Sequence, residues 1–162
     1  MLKDRLAEIY QALWCSSDGD ERPETPSWYL SHDDEGPAPV FYVRHGFGQG
    51  ERGMFMLCLE NNGVVTGGPR IWIWRQLPPD PQDEPDLVGA DLEELITLAH
   101  ERGHEQSCRD RTYQVRAMAE ERRAWVHAER ILKSLGFEEW TAFEDHKLDS
   151  LAEHAKHGTP DG

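Results

Sequence analysis

Asp91-Leu92-Glu93-Glu94-Leu95-Ile96-Thr97-Leu98-Ala99-His100-Glu101-Arg102-Gly103-His104 sets the fold of this 162-residue chain. The stretch opens with a short carboxylate that caps helix N-termini, carries Glu94 three positions later as in a capping box, and then repeats apolar residues at helical spacing. Leu92, Leu95, Ile96 and Ala99 therefore predict the buried side of a helix. That helix delivers the pattern His-Glu-x-x-His at 100–104. Four residues make about one turn, so His100 and His104 stand one above the other and offer two imidazoles to one metal ion, with Glu101 beside them to move a proton. Gly103 is unfavourable inside a helix by about 1 kcal/mol relative to Ala. Its presence predicts either a close backbone neighbour or the end of the helix after His104.

A catalytic zinc takes three protein ligands and leaves one position to water, so a third ligand is expected. A second helix, predicted from about Thr112 to Leu135, has an apolar stripe of Met118, Trp125, Ala128, Leu132 and Leu135 into which Glu121 intrudes. A carboxylate on an apolar face needs a partner, and a cation would supply one. Glu120 falls on the more polar side with Arg116 and Arg123 and reads as helix surface. The rival third ligand is Asp110, at the position of the compact pattern H-E-x-x-H-x-x-G-x-x-(H/D), although Ser107 stands where that turn normally has Gly. Tyr113 and His127 are the nearest candidates to stabilise a developing oxyanion. The remaining histidines, His32, His45, His146, His154 and His157, lie in polar or terminal segments and read as surface residues.

Thr97-Leu98-Ala99-His100-Glu101-Arg102-Gly103-His104, followed by Glu121-Arg122-Arg123-Ala124 and then Ala128 and Leu132, resembles the core of the ImmA/IrrE-type metallopeptidases. Those are compact gluzincins with a T-L-A-H-E-x-G-H helix and a later E-x-x-A helix. The resemblance spans Leu92 to Leu132. It implies a minimal zincin-like domain in which His100, His104 and Glu121 bind Zn2+ and Glu101 is the general base. It further implies that an edge strand beside the metal helix pairs with extended substrate, a role expected here of Ile71 to Arg75, with Trp72 or Trp74 lining the cleft or simply covering the sheet.

The rest of the chain predicts an α+β domain. Leu2, Leu6, Ile9, Tyr10 and Leu13 form an amphipathic first helix. Strands are expected at Val40 to His45, Met54 to Glu60, Val64 to Thr66 and Ile71 to Leu77, joined as an antiparallel meander with Asn62-Gly63 as a hairpin turn. Gly46 to Gly50 is glycine-rich, but a strand rather than a helix follows it, so it reads as a hairpin loop and no organic cofactor site is expected. After Gly136 a last amphipathic helix runs within Phe137 to His157 on Phe143, Leu148, Leu151 and Ala152. The expected division is a helix-plus-sheet part at 1–77, an acidic proline-rich link at 78–90, a helical metal half at 91–157 and a frayed tail at 158–162.

A formal charge of -14 argues against direct binding of nucleic-acid phosphates and favours a basic peptide or protein as partner. Cys15, Cys58 and Cys108 are odd in number and lack metal spacing, which predicts reduced thiols. No apolar run reaches membrane-spanning length and the first residues do not read as a signal peptide, so a cytoplasmic protein is expected. The leading function is thus a zinc metallopeptidase. The alternative is an acidic binding protein that occupies a cationic protein surface as a nucleic-acid mimic does, through residues such as Asp18, Glu21, Asp33 and Asp80 to Asp86, with a structural or vestigial metal site. A metal-bearing adaptor that holds peptides without cleaving them is a third.

Overall fold

The computed structural model describes residues 3–14, 28–29, 37–43, 52–57, 59–74 and 91–157. The loop at Gly46 to Gly50, the link at 78–90, the tail, Cys15, Cys58, His32, His45 and the acidic residues assigned to a mimic all lie outside these. The elements are α1 (Asp4–Trp14), β1 (Val40–Val43), β2 (Gly53–Met56), β3 (Leu59–Asn61), β4 (Val64–Gly67), β5 (Arg70–Trp74), α2 (Leu92–Arg109), α3 (Met118–Ser134) and α4 (Trp140–Lys156). The fold class is α+β. No helix among the described residues is long and apolar enough to cross a membrane.

The sheet corrects the expected meander. Its order is β1-β5-β2, with β1 parallel to β5 and β2 antiparallel to it, so β5 is the central strand rather than an edge. The span expected as one strand from Met54 to Glu60 divides into β2 and β3. The β3–β4 pair is a separate hairpin turned by Asn62 and Gly63, both at positive φ, the geometry in which the turn's twist matches that of its strands. Alternation along β5 buries Ile71 and Ile73 in the core. Trp72 falls on the other face against Phe41, with ring centroids 5.2 Å apart, and Trp74 shares its parity. The tryptophans therefore do not line a cleft beside α2.

Helix α2 is the axis of the molecule. The Asp91 carboxylate accepts the Glu94 N–H at 2.7 Å and caps it as expected, and it runs past Gly103 to Arg109. Every residue from Glu94 to Ser107 is buried, because α1, α3, α4, β2 and β5 surround the helix on all sides. A helix this polar tolerates such enclosure only when its charges are paired. Arg102 shows how: its guanidinium donates to the carbonyls of Leu13 (2.8 Å), Trp14 (2.9 Å) and Ala38 (2.6 Å) and to Glu105 (2.9 Å). Glu105 in turn accepts the Ala38 N–H. This network ties the C-terminus of α1 and the segment before β1 to the side of α2 away from the histidines, satisfying carbonyls that the end of α1 leaves open.

Gly103 brings α3 against α2. A Cβ at this position would overlap the carbonyl oxygen of Ala124, so the two backbones meet at a distance only glycine permits. The first of the two readings of Gly103 holds and the second does not. Helix α3 begins at Met118 rather than near Thr112. Residues 110–117 form an irregular turn in which Arg111 and Arg116 adopt positive φ. Helix α3 ends in a Schellman arrangement, with the Phe137 N–H on the Leu132 carbonyl, the Gly136 N–H on the Lys133 carbonyl, and Gly136 at φ 80°. Helix α4 buries Phe143, but Leu148 and Ala152 are exposed, so its apolar side is narrower than the spacing predicts.

Candidate metal centre

The contact of α2 with α3 assembles the centre. His100 and His104 lie one turn apart with ring centroids separated by 4.6 Å, and Glu121 faces both from α3. Glu121 Oε2 stands 3.1 Å from His100 Nε2, and Oε1 stands 3.4 Å from His104 Nε2. One ligand atom from each of the three residues lies within 4.8 Å of the others. His100 Nε2 and Glu121 Oε2 are buried without a hydrogen bond of sound geometry, and atoms in that condition call for a further partner. A tetrahedral cation with bonds of about 2.0–2.2 Å sets its ligand atoms roughly 3.3 Å apart. The donor set and its spacing fit such an ion.

Each imidazole is held by a different neighbour. His100 lies flat on the indole of Trp125, 4.1 Å between centroids and 4° between planes. His104 Nδ1 is bonded to Glu120 Oε2 at 2.7 Å, and the other oxygen of Glu120 accepts from Arg123 at 3.0 Å. Glu120 is thus buried behind a histidine of the candidate centre, not on the surface as its polar neighbours suggest. Carboxylates so placed fix the tautomer and orientation of a ligating histidine.

These neighbours set the charges. Burial pushes His100 down to about 4 in spite of Glu121. Burial also opposes charge on His104, but the carboxylates of Glu120 and Glu121, with Glu101 nearby, outweigh it and carry the group up to about 10. Burial would raise Glu121, yet the two imidazoles hold it well below the usual carboxylate range. At neutral pH the centre therefore holds one neutral imidazole, one imidazolium and one carboxylate.

Chain comparisons with protein-family models, characterised proteins and solved structures find no match. The chemistry of the centre rests on its own geometry.

Glu101 is buried next to the cluster, its Oε1 3.7 Å from His100 Nδ1. Strand β2 passes directly over it. A Cβ on Gly53 would come within 2.7 Å of Thr97 Cγ2 and 3.2 Å of Glu101 Oε1, so glycine lets the strand's backbone approach the carboxylate. Tyr113 stands edge-on to His104, centroids 6.1 Å apart, and burial together with Glu120, Glu101 and Glu121 pushes its phenol up to about 12. His127 is placed elsewhere: its Nε2 is 3.6 Å from Asp110 Oδ2 and its Nδ1 touches Arg130. Asp110 caps the end of α2 and accepts from Gln106 at 3.0 Å. The fold thus gathers His100, His104, Glu121, Glu101 and Tyr113, and leaves Asp110 and His127 as a separate pair. Besides Glu120, a histidine read as surface joins the centre: His154 of α4, whose Nε2 lies 3.3 Å from Glu121 Oε2. His157 pairs with Glu153 in solvent, as its position predicts.

Proposed function

We propose that this chain is a zinc-dependent metallopeptidase of minimal zincin-like organisation. The observation that carries the reading is the convergence of His100, His104 and Glu121 on one point with Glu101 alongside. His100, His104 and Glu121 would hold the ion, and two imidazoles with one carboxylate suit zinc. When bound, the ion supplies Lewis acidity to water and to the scissile carbonyl. Glu101 takes the proton from the attacking water and returns it to the leaving amine. Tyr113, protonated at neutral pH by virtue of its raised pKa, donates to the developing oxyanion. Glu120 keeps Nδ1 of His104 engaged so that Nε2 is the nitrogen offered to the ion.

The sheet favours a peptide as substrate. Strand β2 is an edge strand of its sheet and lies against α2 at Glu101. An extended chain added to that edge would bring its backbone to the general base, binding through main-chain hydrogen bonds with little demand on sequence. This gives β2 the role that the sequence suggested for Ile71 to Arg75. The charge of -14 favours basic segments in the substrate.

The test is hydrolysis of a quenched, lysine-rich peptide library by protein reconstituted with zinc, beside the Glu101→Gln variant. Turnover that is lost in Glu101→Gln while zinc is retained supports the reading. Turnover undiminished in the variant removes Glu101 from its role, and no turnover by the wild type favours a peptide-binding adaptor.

A further inference from the structure

Helix α4 places a third imidazole at the centre. His154 is half-buried near the end of α4, and its Nε2 lies 3.3 Å from Oε2 of Glu121. The same oxygen faces His100 Nε2 at 3.1 Å, while the other oxygen faces His104 at 3.4 Å. Glu121 is therefore flanked on three sides by imidazole nitrogens, two from α2 and one from α4. His154 is not part of the trio whose ligand atoms lie mutually within 4.8 Å. Its contact is with the carboxylate alone. A carboxylate can bind an ion through one oxygen or both, and a neighbour that restrains its rotation favours one.

We infer that His154 is a positioning residue for the third metal ligand: held 3.3 Å from Oε2 by α4, it restrains the Glu121 carboxylate so that one oxygen stays turned to the ion. The inference rests on the metal-site reading but not on peptidase activity. It makes α4 a working part of the centre. A carboxylate restrained in this way would leave an ion a position for water; with His154 absent, Glu121 would be free to offer its second oxygen there. His157, one turn along the same helix, pairs with exposed Glu153 instead.

The experiment uses the full chain with Zn2+ and Co2+ alone. Zinc affinity is measured by competition with a chromogenic chelator, and the coordination environment by the visible spectrum of the Co2+ form, for wild type, His154→Ala, His154→Gln and His157→Ala. Because His154 is half-buried and Ala is the best helix former, His154→Ala keeps the fold, which a far-ultraviolet spectrum and a thermal melt verify. The expected result is an affinity about 10–100-fold weaker in His154→Ala and a weaker Co2+ absorption band, the mark of a higher coordination number. His154→Gln, which restores an N–H donor, recovers part of both, and His157→Ala matches wild type. Equal affinity and an equal spectrum in His154→Ala overturn the inference. A His154→Gln variant no better than His154→Ala also overturns it, in favour of the imidazole as a direct ligand. Wild-type protein that takes up neither ion removes the metal site and this inference with it, an outcome distinct from both.

Discussion

The wall behind His100 is an indole and the wall behind His104 is a carboxylate, although both histidines sit on one face of α2 and meet the same Glu121. Trp125 offers His100 area and rigidity but no hydrogen bond, so burial outweighs the pull of Glu121 and the ring stays neutral down to about pH 4. Glu120, steadied by Arg123, offers His104 a charged partner, so the ring stays protonated to about pH 10. The difference teaches that a symmetric pair of histidines in sequence need not be a symmetric pair in chemistry. One wall fixes position by packing and the other by charge.

Removing the packing wall is the most damaging change expected. Trp125 is almost wholly buried, between His100 and Phe143, and Trp125→Ala should lower stability by about 3–5 kcal/mol in a urea titration. A loss below about 1 kcal/mol would show that the indole is not the floor of the site. Next in size is Gly103→Ala, which acts on both walls at once. The added methyl meets the backbone of Ala124, which cannot swing aside as a side chain would. We expect about 1–3 kcal/mol of destabilisation, accompanied by loss of metal uptake as α3 carries Glu121 away from α2. Full metal uptake by this variant would contradict the close-approach account.

The charged wall is tested by Glu120→Gln, expected to weaken zinc binding about 10–100-fold while leaving the fold intact. The smallest effect is also the most specific to the comparison. His104 has its pKa raised above the ordinary 6.5, so below about pH 10 an incoming ion must displace its proton, whereas His100 is already neutral above about pH 4. Uptake near neutral pH should release one proton from this pair. Apparent affinity should then climb about tenfold per pH unit through pH 7 and beyond. In Glu120→Gln the climb should flatten at a lower pH than in the wild type, because one of the carboxylates that hold the proton on His104 is gone. A wild-type curve already flat above pH 7 would refute the charge assignment of His104.

What the sequence made legible is what depends on spacing within one helix. The Asp91 cap, the pairing of His100 with His104 and the inward face of Glu121 all follow from helical periodicity, and the structure realises each. The Asn62-Gly63 turn was legible for the same reason: two adjacent residues decide it. Glu120 was not, because its burial depends on how closely α3 approaches α2. At the separation Gly103 allows, residues on both sides of the contact line reach the partner helix, so neighbours about 100° apart around α3 are both enclosed. His154 was hidden for a similar reason, since the packing of α4, and not its own neighbours, brings it to Glu121. The sheet order escaped because β1 and β5 pair across more than two dozen residues, and nothing local to either strand reports a parallel partner.

The most direct test of the central claim is metal content by elemental mass spectrometry, on protein purified without a polyhistidine tag, for wild type, His100→Ala and Glu121→Ala. The account predicts about one zinc per wild-type chain, lost in both variants. Wild-type protein that carries no metal and takes none up on addition would contradict it.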